Sequence, residues 1–357
     1  MAVVGASDVR ISAFVRDYVQ RLEPGHMPAS VTGTTLDDYA VIALRGRRTS
    51  FAELTTFFAC EIARDGVSRV LAKWLPNLVE GLAGAAFHPL IHLGVGVVSG
   101  NRTIIADGLA YATHSFLPLG VSRGSGTHSL SEVLIIAGNE LGMDAMLSSA
   151  LPMLADMPTG YFQKCMAAFA GREGEHLCRA LEVAAARVCL PDDGFGEWGL
   201  DEAVSLYVNA EGRNDYFLLH CVTCAFFLDT LLRFSFEARL DSASTQNRAA
   251  VSALVRGVIA TYVAQGSPRL CHFRAPDGCT WQSLRSLASE LPPDRTYAYP
   301  SARNEHEFKM LWAMEAASNL YGEKDGLYMA AAYKCLTLPL SGREFEGVPI
   351  RDSQVQA

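Results

Sequence analysis

The sequence predicts an all-α protein, one large multi-helix domain with a buried, histidine-rich centre. Three observations point there. Apolar residues recur at three- and four-residue spacing through most of the chain, the period of a helix with one buried face. Ser50 with Glu53, and Ser129 with Glu132, have the Ser-x-x-Glu form in which hydroxyl and carboxylate satisfy each other's backbone donors at a helix start. Alternating strand patterns bounded by turn signals are scarce, and no strand-helix-strand unit repeats.

In chain order, the helical period runs over 11–22, 51–63, 67–93, 104–112, 130–141, 177–188, 216–232 and 251–263. Punctuation falls at 191–199, at 274–279 and at 291–299, where Pro292 and Pro293 stop any helix. These read as loops within one domain, 1–338. The tail, 339–357, loses its apolar period and turns polar, so it is expected to wrap or fray.

Half of the 357 residues are hydrophobic and 19% are charged, enough apolar surface to offset the entropy of ordering a large core. With a formal charge of -8 and scattered basic residues, the chain has no footprint for a phosphate backbone, which excludes nucleic acid as a partner. Nine cysteines, an odd number, and an opening without a basic head and apolar signal core predict a reducing, cytoplasmic setting. The uncharged stretch 81–101 has a membrane-span reading and a core-helix reading. His88, Pro89, His92 and several glycines favour the core helix, so no membrane is expected.

Histidines inside apolar segments carry the functional argument, because a buried imidazole needs a partner for each ring nitrogen and a metal is one such partner. His26 lies in a turn-like Gly-His-Met-Pro. His88 and His92 are four apart, about 40° around a helix, and so share a face. That is the spacing of a helical metal pair, without the glutamate of the zinc-protease motif; satisfied core histidines are the other reading. His220 stands alone in an apolar helix. His306 and Lys309 share a helical face, where Lys309 either pairs with Glu305 on a wet surface or faces the core. In the second case desolvation lowers its pKa, and the neutral amine can take up carbon dioxide as a carbamate that coordinates metal.

Weaker signals fall away. Cys221 and Cys224 form a Cys-x-x-Cys without a second pair or a preceding strand, and read as small core residues. The glycine-rich run Gly94-Val95-Gly96 follows a helical pattern with no strand-helix-strand unit around it, so it is a poor dinucleotide cradle. His114, His128, His176 and His272 read as solvated or capping, and no Gly-x-Ser-x-Gly elbow supports a serine hydrolase.

The segments GHMPAS near the start, AAFHPLIHLGVGV from Ala85, YFLLHCVT from Tyr216 and EHEFKMLWA from Glu305 resemble, in order and spacing, the signature segments of the questin oxidase-like family. The resemblance implies a mainly helical enzyme acting on polycyclic, quinone-type small molecules. Its fungal members are described either as Baeyer-Villiger-like and using NADPH, or as iron-dependent dioxygenases. In the second description non-haem iron is held by four histidines and a carboxylated lysine, which match His26, His88, His220, His306 and Lys309. His92 is then a substrate-facing catalytic imidazole, or a ligand in place of His26. The sequence departs from the family at Gly94-Val95-Gly96, where an aromatic is common, and it is shorter than the fungal enzymes. Two further readings keep the same residues: a non-catalytic small-molecule-binding protein, and a zinc-dependent hydrolase.

Overall fold

A computed structural model describes residues 36–47, 51–120, 126–212, 214–237, 243–290 and 305–341, with side-chain detail absent at 235–237 and 243–246. Among the described residues there are fifteen α-helices. They are α1 (Asp38–Ala43), α2 (Phe51–Asp65), α3 (Val67–Leu78), α4 (His88–Ser99), α5 (Arg102–His114), α6 (Leu130–Asn139), α7 (Met143–Ala150), α8 (Tyr161–Phe169), α9 (Glu175–Ala186), α10 (Phe195–Asn209), α11 (Tyr216–Glu237), α12 (Ala243–Ala264), α13 (Trp281–Glu290), α14 (Glu305–Tyr321) and α15 (Leu327–Thr337). Strands β1 (Asn214–Asp215) and β2 (Leu340–Ser341) pair in parallel. The all-α expectation holds.

By contacts the described residues fall into two units. The larger takes those of Gly25–Ala203 and His220–Ser267, the smaller those of Val204–Leu219 and Pro268–Ala357. The division passes through the interior of α10 and of α11, each an uninterrupted helix.

In the larger unit α4 and α5 form the closest helix pair, and glycine makes this possible. A Cβ on Gly96 would stand 2.8 Å from the Ile105 nitrogen, and one on Gly108 would stand 2.6 Å from the Leu93 Cα. Gly94 likewise leaves room for the Phe227 ring. The glycine-rich run therefore sits inside a helix and serves close packing. Helix α12 is buried from Ala250 to Ala264 and packs against α6, α8 and α9. Ser129 and Glu132 form the expected capping box at the start of α6. Ser50 lies outside the described residues.

Two helices differ from the periodicity. The segment 67–93 is divided between α3 and α4 by two 3-10 turns, because Gly84 lies against the Ser115 carbonyl, so close that any Cβ would collide with it. The uncharged stretch 81–101 is accordingly not one continuous span. Among the described residues, Tyr216–Phe234 is the helix long and apolar enough to cross a membrane, and 83% of that window is buried within the fold. The loop expected at 191–199 is shorter than its punctuation implies, since α10 begins at Phe195, just after Gly194 takes a left-handed turn (φ +61°).

In the smaller unit α13, α14 and α15 pack mutually. Lys334 on α15 is fully buried, and its ammonium donates to the carbonyls of Tyr207 (2.9 Å), Val208 (3.0 Å) and Ala210 (2.6 Å). It thereby satisfies the unpaired carbonyls at the C-terminal end of α10, where a cation also meets the helix dipole favourably. The beginning of the expected tail is the strand β2, and 342–357 lies outside the described residues.

Candidate metal centre

Helix α11 presents the first functional side chain. Asp215 starts it, its carboxylate accepting from the backbone N–H of Phe217 (2.9 Å) and Leu218 (3.0 Å). This N-cap sets the register that puts Tyr216 and His220 one turn apart on one face. His220 has no exposed surface.

His88 is positioned by an unusual turn. Ala85, Ala86 and Phe87 all take positive φ (46°, 55° and 66°), and His88 opens α4 with Pro89 in its first turn. Left-handed backbone costs about 1–2 kcal/mol per non-glycine residue, so its surroundings must hold it there. One such hold is Phe87, whose ring is buried in the gap left by Gly257, where a Cβ would stand 2.8 Å from the ring. The turn also brings the Ala85 carbonyl to 2.7 Å from His88 Nδ1. A carbonyl only accepts, so Nδ1 carries the proton and Nε2 presents its lone pair.

That lone pair points at His220. The two Nε2 atoms are 3.2 Å apart, with ring centroids at 4.6 Å. Without an ion, His220 donates a hydrogen bond to His88. With one, both lone pairs turn to it, and two nitrogens each about 2.1 Å from one cation stand about 3.0–3.4 Å apart for right-angle to tetrahedral geometry. The observed spacing falls in that range.

His306, on α14, is buried, and its ring lies 4.9 Å from that of Tyr216. Its Nδ1 is 3.6 Å from Glu305. His88 and His220 thus give the larger unit two imidazole nitrogens at metal-ligand spacing, and the smaller unit holds His306 as a further, buried imidazole. The set is all nitrogen, which suits zinc, iron or another first-row divalent ion over magnesium or calcium.

Lys309 follows His306 by one turn of α14. Burial pulls its ammonium pKa down to about 8, against the opposing pull of Glu305. Among the described residues it makes no hydrogen bond or ion pair. The lowered pKa favours the neutral amine, the form that reacts with carbon dioxide.

The structure thus brings together His88 and His220. His92, one turn beyond His88 on α4, is on the exposed side of that helix and outside that pair; partial burial lowers its pKa, with Asp107 opposing. His26 lies outside the described residues. Sequence reasoning missed Tyr216, Asp215 and the Ala85–Phe87 turn. Asp215 ahead of an apolar run was a readable N-cap signal, and Tyr216 sits one turn before a singled-out histidine. Nothing in Ala-Ala-Phe signals left-handed backbone.

Comparison with known proteins shows the family. A family model described as questin oxidase-like matches residues 4–314. A Baeyer-Villiger monooxygenase of Aspergillus aculeatus, AacuH, is 32% identical over 105 residues, covering 26% of this chain and 21% of the relative. The chain thus aligns with about a fifth of that relative's length.

Proposed function

The chain belongs to the questin oxidase-like family, and from that premise we propose that it is a metal-dependent oxygenase that inserts oxygen into, or cleaves, a ring of a bulky aromatic or polyketide-like small molecule. The observation that carries this reading is the facing pair of His88 and His220, their Nε2 atoms 3.2 Å apart, which in the proposal His306 completes to a triad. In the proposal these three residues are ligands, with His26 as a fourth histidine and Lys309, as its carbamate, supplying a carboxylate-like oxygen. A non-haem iron bound there would supply the activation of dioxygen, with NADPH as an external reductant where the net reaction needs two electrons.

The chain's own residues have separable tasks. Ala85, by accepting from His88 Nδ1, keeps that ring in the tautomer whose Nε2 is a ligand. Tyr216, against His306, restricts that ring's rotation. The buried Phe217, Leu219 and Val222 flank His220 on α11 and keep bulk water from the donors. At Lys309 the ammonium first loses one proton; the amine lone pair then attacks carbon dioxide, forming an N–C bond as one C–O π bond opens to the carboxylate and a second proton leaves, after which the group is anionic rather than cationic. His92, on the outer side of α4, is assigned to the substrate. Cysteines that form no disulfide fit a cytoplasmic location.

Elemental analysis of freshly purified protein tests this. About one iron per chain is expected, falling below a tenth of that in His220→Ala, together with oxygen uptake on a polycyclic phenol or quinone. Because three imidazoles also suit zinc, a zinc-loaded protein that turns over without oxygen would replace the oxygenase with a hydrolase. Wild-type protein that retains neither metal would end both.

A further inference from the structure

The larger unit holds a cavity of about 260 Å³ apart from the histidine donors. Its walls come from the turn before α4, the end of α5 and the start of α8, and none of His88, His220 or His306 lines it. Phe116, Phe162 and Met166 are among its walls. Against that surface stand two polar atoms, Thr159 Oγ1 and Gln163 Oε1, buried with no hydrogen-bond partner within the fold. Buried polar atoms left this way carry a desolvation penalty that a bound group of matching polarity relieves. Arg172 is the one lysine or arginine in the wall, no carboxylate lines it, and among the described residues Arg172 forms no ion pair.

These features define a ligand. An uncompensated guanidinium in a wall without acids selects an anion and matches a carboxylate in shape. Gln163 and Thr159 call for a hydroxyl able to donate and accept. Flanking aromatic and thioether groups accommodate a flat ring. The volume, just under the usual range for drug-sized sites, suits one or two fused rings.

We propose that this cavity is a binding site for a small hydroxylated aromatic carboxylate, with Arg172 on the carboxylate and Gln163 and Thr159 on the hydroxyl. Ala85 and Ala86 belong to its wall, and Ala85 also holds the His88 ring, so cavity and triad share one turn of backbone. The site does not require an ion at the triad.

Fluorescence titration of the full chain with 6-hydroxy-2-naphthoate, and with neutral 2-naphthol, tests the proposal. Saturable one-to-one binding of the naphthoate is expected, weakened about fivefold or more by Arg172→Gln, which leaves 2-naphthol within about twofold. Thr159→Val and Gln163→Leu should each weaken both compounds about three- to tenfold. Arg172 is exposed, so its variant should melt with the wild type; should it not, the isosteric Thr159→Val decides. Chelator-treated protein should bind as well as untreated protein, which keeps this result distinct from the fate of the metal reading. Absence of saturable binding, binding indifferent to these substitutions, or binding abolished by chelation would each overturn the assignment.

Discussion

Lys309 and Lys334 lie on the packed helices α14 and α15, and burial pulls the ammonium pKa of each down to about 8, yet their surroundings differ. Lys334 meets three main-chain carbonyls and lies over the Tyr207 and Phe273 rings. Lys309 has no such shell among the described residues and follows His306 by one turn. A depressed lysine pKa thus reports desolvation in both regions, and what separates a structural amine from a chemical one is the number of acceptors around it.

The strongest way to break this contrast is Lys334→Met. It leaves three buried carbonyls without their donor, and a loss of about 3 kcal/mol or more is expected in urea unfolding. A variant as stable as the wild type would show that those contacts contribute little. The next effect is in pH. For each lysine, with Lys309 as its free amine in metal-free protein without carbon dioxide, the folded state binds a proton more weakly than the unfolded state does. The penalty is therefore present in full below about pH 8 and is relieved as pH rises from 8 toward the unfolded value of 10.5. Stability should climb across that window by on the order of 1–3 kcal/mol, read by denaturant titration, and a flat profile would refute the desolvation account. The smallest effect on folding belongs to Lys309→Met, expected within about 1 kcal/mol of wild type at pH 7, because a poorly solvated cation is exchanged for an apolar chain. The same variant should lose at least half of its bound metal, so stability and metal content separate the two lysines.

Much of the centre was legible beforehand because helical periodicity is a local property. His220 was assigned to a helix by its apolar spacing and His306 to a helical face shared with Lys309, and both lie in helices. His88 was assigned to a helix running 67–93, and it instead opens a new one after a break. That break depends on the Ser115 carbonyl crowding Gly84 and on the gap at Gly257, contacts remote in sequence. Lys334 was overlooked for a related reason. Its acceptors sit more than a hundred residues away, so nothing beside it in the chain marks it as buried. The exposed position of His92 was equally hidden, since a four-residue spacing fixes a shared side of the helix and not what covers each turn of it.

The left-handed run at Ala85–Phe87 has a consequence for how this protein can vary. Glycine at position 86 would adopt that backbone without steric penalty, so Ala86→Gly relaxes the native geometry while letting the unfolded chain and the turn itself roam more widely. A looser turn no longer dictates where the His88 imidazole rests. Robust folding and a well-aimed first imidazole therefore place opposing demands on one alanine, and drift at this position trades one against the other.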